Sequence, residues 1–232
     1  MLPKIYYVAF GENKGISYAL NYALELAHGY QFLLTMDQDS KFRAGEFSTY
    51  KEKFDLLKDS EPKIAIYSIN YVKNKLHRSP SEYVTDAITS GSIIDIGVAK
   101  EVGGFDLNLF IDQVDLEYCY RVREFGYRII VFYDLFLLHH LGNPKQYNIF
   151  GRTIQVTNHN AIRRYYIVRN MLYVMRRYKG IRRDYAMEIL KMTIKVVLFE
   201  EDKCKKLIYM SRGIDDYLHG KFGKYDYRQF IE

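Results

Sequence analysis

The chain has 232 residues, of which 48% are hydrophobic and 16% aromatic, and its net charge is +6. That composition excludes a disordered chain and suits one good core with at most a small second module. Two cysteines, Cys119 and Cys204, are too few for a disulfide framework and fit a reducing cytoplasm.

In chain order, Lys4 to Phe10 reads as a buried strand, with no secretory leader expected ahead of it. Gly11 to Gly15 is a turn, and Ile16, Ala19, Leu20, Ala23, Leu24 and Ala27 mark one face of a helix. Phe32 to Met36 is a second buried strand, ended by Asp37-Gln38-Asp39-Ser40. A helix from Gly45 to Lys58 and a strand from Lys63 to Ser68 follow. This alternation predicts an α/β fold with a mixed, mainly parallel sheet. Asn70 to Glu82 is a polar loop or hairpin excursion. Ile93 to Ile96 is β-like, Val98 to Val102 is helical and Gly103-Gly104 stops it. A helix then opens within Phe110 to Arg121 and runs to Phe125, Gly126 caps it, and Tyr127 to Phe132 is a further strand.

From about Asn158 the pattern turns helical, with helices from Ile162 to Met175, Tyr185 to Phe199, and Lys205 toward Leu218. The division is therefore 1–150 for the α/β domain and 151–232 for a basic amphipathic helical tail. Met192 to Phe199 is too short and too interrupted by Lys195 to span a membrane. Between Ala161 and Arg183 there are eight Arg or Lys (Arg163, Arg164, Arg169, Arg176, Arg177, Lys179, Arg182 and Arg183) and no Asp or Glu. Such a block suits an anionic partner (a membrane surface, a phosphorylated acceptor or nucleic acid) or else a solvated basic face. Nucleic acid is set aside because no recognised binding module accompanies it.

Four places carry chemistry. Asp37-Gln38-Asp39 sits at a strand end, where open α/β sheets bind ligands, and two carboxylates there can share a divalent cation with a diphosphate. In Phe110 to Glu117, Asp112, Asp115 and Glu117 are interleaved with apolar residues, which suits either a tuned general base or an acidic first turn facing the helix dipole. Asn13, Gly15 and Asn21 surround a helix start that suits either a phosphate or a simple cap. His139 follows a β segment and is a candidate third metal ligand, tilting the choice toward Mn²⁺ over Mg²⁺. Walker A, G-x-G-x-x-G, G-x-S-x-G and H-E-x-x-H patterns are absent, which disfavours kinases, nicotinamide oxidoreductases, serine hydrolases and zincins.

The ordered set Asn13-x-Gly15, Asn21, Asp37-Gln38-Asp39-Ser40, Ser90-Gly91-Ser92, Gly103-Gly104-Phe105-Asp106, Phe110-Ile111-Asp112-x-Val114-Asp115-x-Glu117, Arg121, Gly126-Tyr127 and His139-x-x-Gly142 resembles family 2 glycosyltransferases, in particular their rhamnosyltransferase branch. The tail pattern Arg164-Tyr165-Tyr166 with Arg169-Asn170 is similar to the same branch. The resemblance implies a GT-A fold and inverting transfer of a sugar, from dTDP-L-rhamnose, to a saccharide or lipid-linked acceptor in surface-polysaccharide synthesis. It implies donor contacts from Asn13, Gly15, Asn21, Asp37, Ser90 and Gly91. A divalent cation (Mn or Mg) would sit on Asp37, Asp39 and His139. Asp115 would be the base, with Glu117 organising it. It also implies a place at the inner face of the cell membrane.

The family pattern begins with two further strands that grip the nucleotide, and the chain opens at what would be the third. The sheet is therefore expected to be narrow or edge-exposed. The chain alone is expected to be oligomeric or poorly soluble, and to need a separate N-terminal polypeptide for activity. The alternative is an inactive or accessory fragment.

Overall fold

The computed structural model describes residues 5–71, 77, 79–138, 145–149 and 151–227. The periodic segments form as their patterns require. Helix α1 (Ile16–Leu26) and strand β1 (Phe32–Thr35) are followed by a two-residue strand β2 (Lys41–Phe42). Helix α2 (Glu46–Lys58) places Glu46 in its first turn and Lys58 in its last, each favourable to the helix dipole. Strand β3 (Ile64–Asn70) is buried along its whole length, as its run of branched residues suggests. Then come β4 (Ser81–Val84), β5 (Ser92–Asp95), α3 (Ile96–Glu101), α4 (Val114–Glu124) and the long β6 (Arg128–Leu138). The hairpin β7 (Lys145–Ile149) and β8 (Arg152–Val156) straddles position 150. Helices α5 (Ala161–Arg177), α6 (Arg182–Phe199) and α7 (Lys203–Leu218) complete the tail, with a single 3₁₀ turn at Lys179–Ile181.

Six strands make one mixed sheet in the order β1-β5-β3-β6-β2, with β4 also on β6. It is not mainly parallel, and it is not narrow. Only β3 and β6 pair in parallel; β1–β5, β3–β5, β4–β6 and β2–β6 are antiparallel. The reason is local. β1 and β3 run the same way, as a strand–helix–strand unit requires, but β5 is slotted between them in the opposite sense. A four-residue strand whose two isoleucines, Ile93 and Ile94, are buried on opposite faces reads the same in either direction.

A second correction concerns Ile5 to Phe10. The segment forms no strand and is largely exposed, Ile5 and Tyr7 at 89% and 90%. Among the described residues the outer edge of β1 bears no strand, so the segment pairs with no neighbour and its backbone groups are left to water.

Side chains of the sheet alternate between two cores. Ile66, Ile94 and Ile129 stand abreast on the face covered by α1, α3, α4 and α5, while Tyr67, Ile93 and Ile130 stand on the face covered by α2. Tyr50 of α2 is fully buried, and its hydroxyl donates to the carbonyls of Tyr67 (2.7 Å) and Gly91 (3.0 Å). The tail packs on the first face and within itself. Gly213 of α7 lies against the Tyr165 carbonyl so closely that a Cβ would stand 2.7 Å from it. No helix is long and apolar enough to cross a membrane among the described residues.

Candidate active site

A cavity of about 520 Å³ opens where β1, β3, β6, α4 and α5 converge, lined by Asp37, Asn70, Tyr71, Asp86, Asp112, Asp115, Tyr133 and Arg163 among others. The sequence pattern places Asp37 at the end of a strand, and Ser90 fixes it there. The Asp37 N–H donates to Ser90 Oγ (3.1 Å), and that hydroxyl donates to Ser40 Oγ (2.7 Å). The neighbouring Gly91 donates its N–H to the Thr35 carbonyl (2.8 Å), tying the same turn to β1. Ser90 and Gly91 thus support the Asp37 turn from beneath and are absent from the cavity lining.

Opposite Asp37 lies the loop that starts α4. Asp112 and Gln113 both adopt left-handed backbone angles, φ 61° and 66°, which non-glycine residues rarely take. This sharp turn aims the first turn of α4 at the cavity. Asp115 there is partly buried, and its carboxyl is pushed up to about 6. Burial is the main cause; the Leu116 N–H on Oδ1 (3.0 Å) pulls it back down, and the nearby charges of Asp112 and Asp37 raise it. Such a carboxyl is ionised at neutral pH and still basic enough to take a proton.

Asp112 is held at Oδ1 by Arg163 (Nη2 3.1 Å, Nε 3.3 Å), while its buried Oδ2 meets no hydrogen-bond partner in the structure. Burial still raises the Asp112 carboxyl despite Arg163.

Glu117 is not brought to this cavity. Fully buried, it accepts from Arg121 (2.7 and 3.1 Å) and the Tyr178 hydroxyl (2.9 Å), with Arg177 at 3.4 Å. It anchors α4 to the end of α5. Asn21 is likewise away from the cavity, its amide spanning both polar atoms of the Phe105 peptide (2.7 and 2.8 Å). Asn13 accepts from the Gly15 N–H (3.0 Å), shaping the turn before α1.

Gly15 allows a close approach, although the described neighbour is backbone. At φ 86° a Cβ would stand 2.4 Å from the Phe110 carbonyl oxygen, which accepts the Ile16 N–H (2.8 Å). Helix α1 is thereby seated directly on the loop that leads to Asp115.

Asp37 lines the cavity and Asp39 does not, though both are exposed. His139 lies outside the described residues. No three His, Cys, Asp or Glu side chains converge among the described residues. Asp37 and Asp39, two positions apart in one turn, are the carboxylates that could hold a divalent cation, and of the two only Asp37 faces the cavity.

The basic block is also redistributed. Arg164 and Arg169 are buried, at 4% and 1%; Arg163 sits at the cavity on Asp112, and Arg177 faces Glu117 and Asp106. Arg164 and Arg169 are therefore withdrawn from the surface, while Arg163 and Arg177 stay exposed but are paired with carboxylates. A count of charges in sequence could not show it, although the aromatic residues interleaved between them were the available signal.

No family model matches the chain. Among curated proteins, the dTDP-rhamnosyl transferase RfbF of Shigella flexneri is 29% identical over 198 residues. The match covers 76% of this chain and 64% of that protein, so the chain spans less than two thirds of the relative's length. Among solved structures, the crystal structure of A197 from STIV shares 15% identity over 62% of this chain and 75% of that one, at a TM-score of 0.37, too loose a likeness to argue from.

Proposed function

We propose that the chain is a rhamnosyltransferase-like glycosyltransferase, moving L-rhamnose from dTDP-L-rhamnose to a saccharide or lipid-linked saccharide in surface-polysaccharide synthesis. The observation that carries this is the convergence of Asp37 and Asp115 from distant elements on one cavity. The similarity to a rhamnosyl transferase over 76% of the chain supports it. In this reading the acceptor hydroxyl attacks the anomeric carbon and gives its proton to the Asp115 carboxylate. The bond from that carbon to the diphosphate oxygen breaks on the opposite face, inverting the centre. Asp37 and Asp39 would hold Mg²⁺ or Mn²⁺, which when bound offsets negative charge on a diphosphate. Incubation with dTDP-L-rhamnose and either cation should bind the donor and release dTDP, while UDP-glucose should give little. Absence of binding by any nucleotide sugar would overturn the proposal.

A second reading is favoured by the open edge of β1 and the exposed Ile5–Tyr7 run. In it the chain is an accessory part that turns over only with another polypeptide supplying strands at that edge. Donor binding without dTDP release would favour it.

For the acceptor we propose presentation at an anionic membrane, at the inner face of the cell membrane. Arg176, Lys179, Arg182 and Arg183 remain exposed. They adjoin a solvent-facing stripe of α6 formed by Met187, Leu190, Ile194 and Val197, 45–54% exposed. An apolar stripe beside cations suits an interfacial helix, each cation adding roughly 1 kcal/mol at an anionic surface. The chain should sediment with anionic vesicles, less so as salt rises, and Leu190→Glu with Ile194→Glu should weaken this by about tenfold or more. Equal sedimentation with neutral vesicles would remove the role of the charges.

A further inference from the structure

The loop before α4 is strained, and something must hold it. The carbonyls of Ile111, just before its two left-handed residues, and of Asp112, the first of them, belong to no helix or strand. Both point at one side chain in the tail. Asn170 of α5, fully buried, donates from Nδ2 to the Ile111 carbonyl (2.7 Å) and the Asp112 carbonyl (3.1 Å). The orientation of that amide is settled by its other end. Arg169 Nε donates to Asn170 Oδ1 (3.0 Å), so the NH₂ must face the loop. Arg169 is itself immobilised. Its guanidinium donates to the Tyr165 hydroxyl (3.1 Å), the Gly223 carbonyl (2.9 Å) and the Asn108 carbonyl (3.3 Å). It also packs over the rings of Tyr165, Tyr166 and Phe222.

We infer that Asn170 is a positioning residue for Asp115: by carrying two carbonyls of the strained turn, it fixes the direction in which α4 enters the cavity. The inference rests on the reading of Asp115 as the base. Two further tail contacts act alongside, Arg163 on Asp112 and the Tyr185 hydroxyl on Gln113 Oε1 (2.7 Å). The tail thus holds the loop that leads to Asp115 at three points.

Asn170→Asp isolates the effect. It keeps the volume and an acceptor for Arg169, but turns a carboxylate oxygen toward two carbonyls and removes both donations. Asn170→Ser, which cannot span both carbonyls, is the milder variant should the first fail to accumulate. The groups around Asp115 are the carboxyls of Asp112 and Asp37, the hydroxyls of Tyr71 and Tyr185, the Cys119 thiol, and Arg163 across the cavity. Loosening the turn admits water to Asp115, and burial is what raises it.

Two readouts are needed. The Asp115 titration, followed by carbon NMR on labelled protein and assigned with Asp115→Asn, should begin at about 6 in the wild type and fall toward the ordinary carboxylate range in either variant. In transfer assays kcat should fall about 100-fold, as a slight misplacement of a reacting group can cost, with donor KM within about twofold. A variant that is merely less stable, with an unmoved Asp115 titration and unchanged kcat per folded molecule, would overturn the inference. If the wild type transfers no sugar, the proposed function fails, and the titration still decides the role of Asn170.

Discussion

Asp115→Asn is expected to lower sugar transfer by about 100- to 10,000-fold, the range over which a general base contributes, and at the same time to stabilise the folded chain. Both effects follow from one carboxyl, raised from its usual range to about 6 by burial. As a base it must be ionised, so the wild-type rate should climb with pH and level off above about 6. For stability the sign is opposite to that of a paired carboxylate. Below about pH 4 Asp115 is protonated in both folded and unfolded states and costs nothing. Between about pH 4 and 6 the unfolded chain loses this proton while the folded chain keeps it, so folding weakens as pH rises. Above that the full cost applies, at most about 3 kcal/mol. The asparagine variant should therefore match the wild type near pH 4 and melt higher at pH 8. Equal melting at both would mean that Asp115 is not strained by burial.

The largest loss of stability is expected at Glu200, at the C-terminal end of α6. Its side chain is fully buried and neutralises two buried cations, Arg164 (Nε 3.3 Å, with a second bond from Nη2) and Lys206 (Nζ 2.9 Å). Lys206 also donates to Asn158 Oδ1 (2.6 Å), and Arg164 to Thr157 Oγ1 (3.2 Å), so the cluster ties α5, α6 and α7 to the segment before them. Glu200→Ala would leave both cations unpaired in a low-dielectric setting, and such removals cost about 3–5 kcal/mol. For a chain of this length that is a fall in Tm on the order of 10 °C. The adjacent Glu201 pairs with Lys145 at the surface, where water screens the interaction, and Glu201→Ala should melt with the wild type. Thermal melts of the two variants side by side check the contrast.

The helices and the central strands were legible because their apolar residues recur at helical spacing or in short branched runs. α1, α4 and the three tail helices lie within a few residues of where periodicity puts them. Strand sense was not legible, since the pattern of β5 carries no direction. Ile5 to Phe10 has a strand's composition, but a strand also needs a neighbour, which composition does not reveal.

At the site, the strand-end position of Asp37 and the apolar setting of Asp115 pointed to the cavity. The separation of Asp115 from Glu117 was also readable. Two positions turn about 200° around a helix, so when one faces the cavity the other faces away. Arg163 and Asn170 were harder. Nothing in a basic, tyrosine-rich stretch says which cation turns inward or which amide meets a strained loop some 60 residues earlier. That information lies in tertiary packing alone.

The central claim is that a nucleotide sugar is bound and used between the Asp37 turn and the start of α4. Hydrogen–deuterium exchange of the chain with and without dTDP-L-rhamnose and Mn²⁺ tests it most directly. The account predicts slower exchange in residues 36–40, 86–91 and 111–116 together, with the effect on 36–40 reduced in Asp37→Ala. Protection confined to other segments, or no protection at donor concentrations that saturate binding, would contradict it.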